Sequence, residues 1–342
     1  MSYDLIRRLL FCLPEEWAHA FVLNSLDIAA AVPALLDQRP VPDPVHVMGL
    51  DFPHRVGLAA GLDKNADHLR GLSALGFAFI EVGTVTPKAQ PGNPSPRLFR
   101  LPQSQALINR MGFNNLGLDH LVRRVEAAQY PGILGINIGK NAVTPVEQAL
   151  QDYRIGLDRV YPLASYVVLN ISSPNTQGLR SLQAVESLRA LLEPLKERQD
   201  QLATQHGRYV PLVVKVAPDL SAEEVADMAA CLLRCRIDAV AATNTTISRP
   251  GLEGNQLAQE KGGLSGAPLK ALALAQTRLW AQHLQGQIPL IGVGGILQGE
   301  DAAERITAGA DLVQIYTGLI YTGPRLIRTA SATIAHRLTH AG

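Results

Sequence analysis

Short apolar runs recur eight times along the chain, each rich in valine, isoleucine, leucine or alanine. They lie near residues 55–60, 78–84, 133–138, 166–171, 211–216, 238–243, 289–293 and 311–316. Helix-like stretches separate most of them, and the runs lack the alternation of apolar and polar residues that a half-exposed strand shows. Crossover helices bury both faces of a parallel strand, which removes that alternation. Since an open doubly wound sheet gives the same pattern, the count of eight is what favours a closed (β/α)8 TIM barrel.

The residues at the ends of these runs can hydrogen-bond, carry charge or turn the backbone tightly. They are, in chain order, Gly61 with Lys64, Thr84, Asn137, Asn170, Lys215, Thr243 with Asn244 and Thr245, Gly294 with Gly295, and Tyr316 with Thr317. In a barrel these strand ends converge on one face, where the active sites of the fold lie. We therefore expect a single functional site that draws on almost every strand.

The first 40 residues do not belong to the repeat. Leucine and isoleucine at positions 5, 6, 9, 10 and 13 form an apolar stripe at helical spacing. Pro14 then begins a second helix, with Glu15 and Glu16 in its first turn, where the helix dipole favours acidic side chains. The pattern predicts an amphipathic helical hairpin over residues 1–40, followed by the barrel over residues 41–342.

A second segment outside the repeat runs from Thr86 to about Asn115 and is rich in proline, asparagine and glutamine. A connection of this length is uncommon unless it is functional. Its apolar residues, among them Phe99, Met111 and Phe113, need a surface to pack against, which argues against a solvated insertion. We expect the segment to lie as a lid over the mouth of the barrel.

The charge balance narrows the range of partners. The 342 residues include 31 basic and 30 acidic side chains, so the net charge is close to zero. Binding to a phosphate backbone needs a basic excess, and we therefore expect no nucleic acid partner. No obligate protein partner is evident either.

Metal binding and secretion are also disfavoured. Cys12, Cys231 and Cys235 match neither an iron–sulfur ligand set nor a zinc site, and the last two stand one helical turn apart in an Ala/Leu-rich segment that favours buried packing. No run of 18 or more apolar residues is present, and Pro14 interrupts the Leu9–Leu13 run before it reaches the length of a secretory signal. We expect a cytoplasmic protein without a bound metal.

Two glycine-containing turns, Gly292-Val-Gly-Gly295 and Tyr316-Thr-Gly318, end the seventh and eighth runs. Barrels commonly build a phosphate site at this position from backbone N–H groups. Neither turn is the GxGxxG fingerprint of a dinucleotide-binding domain, which would open the first βαβ unit. A bound phosphate is the favoured interpretation, and a purely structural turn is the alternative.

Lys215 interrupts Leu-Val-Val-Lys-Val-Ala, a run that we expect to be a buried strand. An unpaired ammonium group would be costly there. Two interpretations stay open, namely an internal salt bridge and a cation beside the ring of a bound ligand.

The stretch Asn170-Ile-Ser-Ser173-Pro-Asn175-Thr176 concentrates uncharged hydrogen-bonding side chains around one proline. Such a set suits a polar, planar ligand, and Ser173 is a candidate proton acceptor with no obvious histidine beside it. A Ser/Asn/Pro turn that closes a buried strand is the alternative.

Taken together, these segments resemble the class 2 dihydroorotate dehydrogenases, the quinone-linked flavoenzymes of pyrimidine synthesis. The resemblance covers essentially the whole chain and rests also on Ala60-Gly-Leu-Asp-Lys64, Asn109-Arg-Met-Gly-Phe-Asn-Asn115 and Asn244-Thr245. It implies the oxidation of dihydroorotate to orotate through bound FMN, with a ubiquinone-type membrane quinone as acceptor. A cysteine in place of Ser173 would mark the soluble class 1 enzymes.

The resemblance also implies roles for individual residues. Ser173 would be the catalytic base that takes the C5 proton while a hydride leaves C6 for the flavin N5. Since a serine hydroxyl is a poor base near neutral pH, it would pass its own proton onward through water or the neighbouring Thr176. The implied FMN residues are Ala60, Gly61, Leu62, Asp63, Lys64, Thr84, Asn137, Asn170, Lys215, Thr243, Gly266, Gly295, Tyr316 and Thr317. The implied substrate residues are Lys64, Asn109, Arg110, Met111, Gly112, Phe113, Asn170, Asn175, Asn244 and Thr245.

The same resemblance makes residues 1–40 a membrane and quinone-access domain, with His19 and Arg100 at the quinone head, and residues 41–342 the FMN-binding catalytic domain. The expected location is peripheral, on the cytoplasmic face of the inner membrane. Two alternatives are another FMN barrel, such as class 1 dihydroorotate or dihydropyrimidine oxidation, and a silent barrel that uses its hairpin only to bind membranes. Ser173 and the hairpin oppose the first, and a flavin absorbance in the purified protein would exclude the second.

Overall fold

The computed structural model describes residues 3–31 and 39–340 of the chain. Its strands are β1 (Val45–Val47), β2 (Leu50–Phe52), β3 (Val56–Leu58), β4 (Phe79–Val85), β5 (Leu98–Leu101), β6 (Ala106–Asn109), β7 (Ile133–Ile138), β8 (Tyr166–Asn170), β9 (Leu212–Val216), β10 (Ala239–Ala242), β11 (Gly263–Gly266), β12 (Leu290–Val293) and β13 (Leu312–Ile315). Its α-helices are α1 (Tyr3–Leu10), α2 (Glu15–Ala29), α3 (Leu69–Ser73), α4 (Leu118–Ala128), α5 (Ala149–Val160), α6 (Val185–His206), α7 (Ala222–Arg234), α8 (Lys270–Leu284), α9 (Gly299–Thr307), α10 (Thr317–Thr322) and α11 (Arg325–Thr339).

Eight strands form a closed parallel barrel in the order β10-β12-β13-β3-β4-β7-β8-β9. Each of the eight apolar runs contributes one of these strands, so the predicted (β/α)8 barrel is confirmed. The ring closes between β3 and β13, where Val56 lies opposite Val313. All residues of β4 are buried, because helices cover its outer face and the barrel interior encloses its inner face.

The barrel interior is apolar at the N-terminal ends of the strands. Phe79, Val213 and Leu312 pack there with Phe52 of the β1–β2 hairpin. The rings of Phe52 and Phe79 meet edge to face, with their centroids 5.2 Å apart. The hairpin thus closes the end of the barrel opposite the polar strand ends.

A second core lies between the barrel and the helices around it, and it includes Leu58, Leu157, Leu192 and Ile315. Helix α7 shows how the sequence starts a crossover helix after a strand. The Ser221 hydroxyl accepts from the Glu224 N–H at 3.2 Å, and the Glu224 carboxylate accepts from the Ser221 N–H at 2.7 Å. This capping box pairs N–H groups that the helix itself leaves free.

The two predicted N-terminal helices are present as α1 and α2, and Pro14 is the residue that precedes α2. Helix α2 packs on α3, where Asp27 accepts from the Gly71 N–H at 3.0 Å and contacts Nδ1 of His68 at 2.6 Å. Helix α1 packs near α10, where the Tyr3 hydroxyl donates to the Ile320 carbonyl at 2.8 Å. Both helices therefore rest on the barrel side that carries the C-terminal strand ends.

The opposite side of these two helices is apolar and exposed. Leu9, Trp17, Phe21 and Ile28 expose 63%, 76%, 60% and 75% of their surface. Exposed apolar patches of this kind mark interaction surfaces in soluble domains. Among the residues that the structure describes, no helix is long and apolar enough to cross a bilayer.

The excursion after β4 folds into β5 and β6, which join β11 in a three-stranded antiparallel sheet. Leu101, Ile108 and Leu264 form its small core together with Leu252. The apolar residues of the excursion thus obtain a partner from the segment that precedes α8. The division of the chain at residue 40 stays a prediction, since residues 32–38 lie outside the described part.

Candidate active site

A cavity of about 380 Å³ opens at the C-terminal ends of the barrel strands. Its wall continues from the strand ends onto the β5–β6–β11 sheet and onto α2, which contributes Glu16, His19, Ala20 and Leu23. The volume falls in the range of small-molecule sites, about 300–1,000 Å³. One continuous cavity therefore connects the barrel interior with the N-terminal helices.

Most of the residues predicted for the site line this cavity. They are His19, Ala60, Gly61, Leu62, Asp63, Lys64, Thr84, Asn109, Met111, Gly112, Phe113, Asn170, Ser173, Asn175, Lys215, Thr243, Asn244, Thr245, Gly266, Gly295, Tyr316 and Thr317. Four other predicted residues, Arg100, Arg110, Asn137 and Thr176, are not part of its wall. The convergence of strand ends thus brings together residues that lie more than 250 positions apart in the sequence.

The two arginines have partners away from the cavity. Arg110 contacts Glu260 at 2.5 Å, and its guanidinium group lies 4.6 Å from the centre of the Phe99 ring. Arg100 contacts Glu15 at 3.3 Å and donates to the Leu10 carbonyl at 3.1 Å. Arg110 therefore ties the excursion to the segment before β11, and Arg100 holds the connection between α1 and α2.

Asn137 and Thr176 are buried next to the cavity wall. The Thr84 hydroxyl, which does line the cavity, donates to Oδ1 of Asn137 at 2.6 Å. The Oγ1 atom of Thr176 has no hydrogen-bond partner among the described residues. Asn137 thus supports a wall residue, and Thr176 keeps a free hydroxyl close to Ser173 in the sequence.

The turns after β12 and β13 have the backbone that the glycine pattern predicts. Gly294 and Gly295 adopt positive φ angles of 107° and 69°. A Cβ at Gly295 would stand 2.3 Å from the Cα of Lys270, so only glycine fits. Across the cavity wall, the Thr317 hydroxyl donates to that of Ser265 at 2.8 Å. This arrangement brings the backbone close to the cavity, as a phosphate site requires.

Lys215 is buried and lines the cavity, and its Nζ lies 3.5 Å from Oε1 of Glu81. The first of the two interpretations of Lys215, an internal salt bridge, is therefore confirmed. The ammonium group also remains at the cavity wall, so the second interpretation stays compatible with the geometry. Glu81 is a functional candidate that the sequence interpretation missed, although an acidic residue inside the apolar run Phe-Ile-Glu-Val was its signal.

The four asparagines predicted to bind the substrate form two pairs. Asn175 donates to Oδ1 of Asn109 at 3.1 Å, and Asn244 donates to Oδ1 of Asn170 at 3.3 Å. Ser173 is buried, and its hydroxyl oxygen accepts from the Asn175 N–H at 3.3 Å. A backbone N–H thus contacts the serine hydroxyl, and no carboxylate or imidazole is bonded to it among the described residues.

The cations at the α2 side of the cavity have shifted pKa values. Burial lowers the pKa of Lys64 to about 8, and the Arg97 guanidinium acts in the same direction while Glu16 opposes it. The Lys64 ammonium donates to Oδ1 of Asn114 at 2.9 Å. Burial also lowers the pKa of His19 to about 4, with a further contribution from Lys64. His19 is consequently neutral near pH 7, while Lys64 is mostly charged.

Asn114, Ser265 and Gln314 line the cavity without having been predicted. Gln314 is buried within β13, and its Oε1 atom has no hydrogen-bond partner among the described residues. A buried acceptor without a partner is costly and points to a ligand or a water molecule that supplies the missing donor. Together with Lys215 and the glycine turns, it gives a set of groups that fits a polar ring bearing a phosphate.

The family model described as dihydroorotate dehydrogenase matches residues 44–338. The chain is 59% identical over 335 residues to the dihydroorotate dehydrogenase (quinone) of Azotobacter vinelandii, covering 97% of this chain and 96% of that protein. It is 58% identical over 336 residues to the protein of the same description from Thiobacillus denitrificans, covering 98% of this chain and 100% of that protein.

The chain also resembles two solved structures. The crystal structure of DHODH from Eimeria tenella in complex with ferulenol superimposes with a TM-score of 0.86 at 38% identity, over 96% of this chain and 93% of that one. The ligand-free structure from the same organism has a TM-score of 0.86 at 40% identity, over 94% of this chain and 95% of that one.

Proposed function

The chain belongs to the dihydroorotate dehydrogenase family and oxidises dihydroorotate to orotate with a quinone as electron acceptor, and we propose that it does so through FMN held in the described cavity. It is a flavin-dependent oxidoreductase of pyrimidine biosynthesis. The observation that carries the proposal is a continuous cavity whose wall includes both Ser173 and His19. Both half-reactions can therefore take place in one continuous cavity.

The FMN would be held by the groups that converge from the strand ends. FMN supplies a ring that accepts a hydride and later releases two electrons to the second substrate. The phosphate would rest on the backbone of Gly266, Gly295 and Thr317, where glycine or a turn lets N–H groups approach. Lys215 would stand beside the ring, and its positive charge would favour the reduced form. The full proposed FMN set is Ala60, Gly61, Leu62, Asp63, Lys64, Thr84, Asn137, Asn170, Lys215, Thr243, Gly266, Gly295, Tyr316 and Thr317.

The substrate ring would replace the bonds that the two asparagine pairs now make with each other. A carboxamide offers both a donor and an acceptor, which suits the alternating N–H and C=O edge of a dihydropyrimidine dione. Lys64 would bind the substrate carboxylate. The backbone of residues 110–113 and the side chain of Thr245 would also contact the substrate. Fixing the substrate ring in this way lowers the entropic part of the barrier.

Ser173 would take the proton from C5 of the substrate. A serine hydroxyl is a weak base near neutral pH, so it must release its own proton as it accepts another. Thr176 is the proposed next acceptor, because its buried Oγ1 has no other partner among the described residues. The carbonyl group adjacent to C5 acidifies the substrate and lowers the demand on the serine.

The quinone would enter along α2. Glu16, His19, Ala20 and Leu23 of this helix belong to the cavity wall, and the exposed apolar side chains lie on its other side. A neutral His19 can donate a hydrogen bond to a quinone carbonyl without the cost of burying a charge. Arg100 would contribute by holding the helix connection in place. We propose that the exposed apolar side binds the cytoplasmic face of the inner membrane peripherally.

Anaerobic mixing tests both half-reactions with one preparation. Dihydroorotate is expected to bleach the flavin absorbance, and a lipophilic quinone is expected to restore it, while NAD is not. Flavin that stays oxidised with dihydroorotate would contradict the proposed site. Recovery with NAD but not with quinone would contradict the proposed entry along α2.

A further inference from the structure

A layer of polar side chains crosses the barrel interior directly below the cavity. Glu81 of β4, Asn137 of β7, Lys215 of β9 and Gln314 of β13 belong to it, and none of them is more than 5% exposed. Barrel interiors are usually filled by apolar side chains. Apolar side chains also fill this barrel nearer the N-terminal ends of its strands. A buried ion pair gives little net stability compared with apolar packing, so stability alone does not explain the layer.

Glu81 is the centre of this layer. Its carboxylate accepts from Nδ2 of Asn137 at 2.8 Å and from Nε2 of Gln314 at 2.5 Å, and Nζ of Lys215 and the Tyr166 hydroxyl each lie 3.5 Å away. An ionised carboxylate only accepts hydrogen bonds, so each neighbour must turn a hydrogen towards it. The charge therefore fixes the orientation of two carboxamides that could otherwise face either way.

The first of these carboxamides passes the orientation upward to the substrate residues. With its NH₂ group on Glu81, Asn137 presents Oδ1 to the Thr84 hydroxyl, which donates to it at 2.6 Å. The Thr84 oxygen can then only accept, and it accepts from Nδ2 of Asn170 at 2.8 Å. Asn170 is left with Oδ1 free to accept from Asn244. The orientation of the Asn137 amide thus sets that of the Asn170 amide, whereas the Thr245 N–H, which donates to Oδ1 of Asn244 at 2.8 Å, orients Asn244.

The second carboxamide presents an acceptor to the cavity wall. The NH₂ group of Gln314 is used by Glu81, and its Oε1 atom, buried and without a partner among the described residues, is left over. Since Gln314 lines the cavity, this oxygen suits an N–H group of a bound ring. Reversal of Gln314 would replace the acceptor by a donor at the same place.

We propose that Glu81 is the positioning residue that sets the hydrogen-bond direction of the cavity floor and balances the charge of Lys215. Through Asn137 and Thr84 it determines which atoms Asn170 offers to the substrate, and through Gln314 it determines which atom meets the flavin ring. The inference rests on the proposed FMN site and deepens it. Glu81 itself touches neither ligand.

The test compares Glu81→Gln with Glu81→Asp in the FMN-loaded enzyme. Glu81→Gln keeps the shape of the side chain but removes its negative charge. It also adds an NH₂ donor, which must face an N–H group of a neighbour that now donates to Glu81. We expect orotate binding, measured by calorimetry, to weaken at least tenfold. The midpoint potential of the flavin is expected to become more positive, because a buried negative charge no longer opposes the extra electrons.

Glu81→Asp keeps the charge and should recover most of the orotate affinity and of the flavin midpoint potential. If Glu81 has only a structural role, both variants should unfold at a lower temperature while orotate affinity and midpoint potential stay unchanged. Tyr166→Phe is the matched control for orotate affinity, since it removes 3.5 Å contacts with the Glu81 carboxylate and with Nε2 of Gln314 but no link between Glu81 and Asn170. Equal effects of Tyr166→Phe and Glu81→Gln on orotate affinity would overturn the proposal.

Thr84→Val provides an independent test that leaves Glu81 untouched. It cuts the chain between Asn137 and Asn170, so orotate binding should weaken at least tenfold while the midpoint potential moves less than in Glu81→Gln. Unchanged orotate affinity in Thr84→Val would overturn the proposal even where Glu81→Gln cannot be purified. Absence of FMN from the wild-type protein would overturn the proposed function. Normal FMN content with unchanged orotate affinity in both Glu81→Gln and Thr84→Val would overturn only the role of Glu81.

Discussion

Lys215 and Arg110 both have an acidic partner that lies far away in the sequence. Lys215 stands out because a lysine inside an apolar strand demands a partner, and the structure supplies Glu81 as that partner. The sequence does not reveal which acidic residue it is, since the two lie 134 positions apart and meet only through barrel closure. Arg110 shows the converse case. Its neighbours line the cavity, but its long side chain pairs with Glu260, which no local pattern reveals.

Ser173→Ala is expected to leave FMN bound and to slow flavin reduction by dihydroorotate by about 10²–10⁴-fold, the usual contribution of a general base. The contacts proposed for the cofactor lie elsewhere, so its retention should not change. Stopped-flow absorbance under anaerobic conditions measures the rate. Ser181→Ala is the control, because that hydroxyl is exposed and donates only to the Gly178 carbonyl. Bleaching of the Ser173 variant at the wild-type rate would remove Ser173 from the mechanism.

Lys64 is expected to make substrate binding depend on pH. Its pKa is lowered to about 8, so the ammonium group is present below that pH and is lost as the pH rises through it. If Lys64 binds the substrate carboxylate, the KM for dihydroorotate should rise above pH 8 by up to about tenfold per pH unit. Lys64→Met should show a high KM at all pH values, without this rise.

Lys88→Met serves as the control for the pH profile, because Lys88 is exposed. It is expected to keep the wild-type pH dependence. A KM in Lys64→Met that still rises above pH 8 would assign the titration to another group.

At the scale of elements, the eight barrel strands follow from the sequence, since each is a continuous apolar run followed by a chemically distinct end. The β5–β6–β11 sheet does not follow from it. Strand β11 has the sequence Gly-Leu-Ser-Gly and lies more than 150 positions after its partner β6, so neither composition nor proximity indicates a strand. The predicted lid is thus a small sheet whose third strand comes from a distant segment.

The exposed side of α2 is expected to control membrane binding separately from catalysis. Trp17 and Phe21 are 76% and 60% exposed and are not part of the cavity wall. Each buried aromatic contributes about 1.5–3 kcal/mol to membrane binding, so Trp17→Ser with Phe21→Ser should reduce binding to liposomes by at least about 100-fold. Reduction of the flavin by dihydroorotate should stay at the wild-type rate.

Leu338→Ser on α11 removes an apolar side chain of 39% exposure from another part of the surface and should not affect liposome sedimentation. Equal losses in the control and in the α2 variant would indicate general surface hydrophobicity rather than a specific membrane face.

At the scale of the whole molecule, FMN is expected to stabilise the fold because it binds only where the strand ends have converged. Free FMN at 100 times its Kd should add about 2.7 kcal/mol to the free energy of unfolding. Riboflavin lacks the phosphate and should stabilise the apoprotein much less, if the Gly294–Gly295 turn holds that group. Thermal unfolding of the apoprotein with each compound measures the difference. Equal stabilisation by riboflavin and FMN would leave the turn with a structural role only.

The pairing of β3 with β13 also bears on when the enzyme becomes active during its synthesis. The ring cannot close before Val313 has left the ribosome to meet Val56, and the two turns proposed for the phosphate, at 294–295 and 316–317, lie near the end of the chain. The Tyr3 hydroxyl likewise finds its acceptor only at Ile320. A nascent chain of 280 residues would hold most of the asparagines and Ser173 but no closed site. A product truncated before β12 is therefore expected to lack both proposed phosphate turns and to bind flavin poorly.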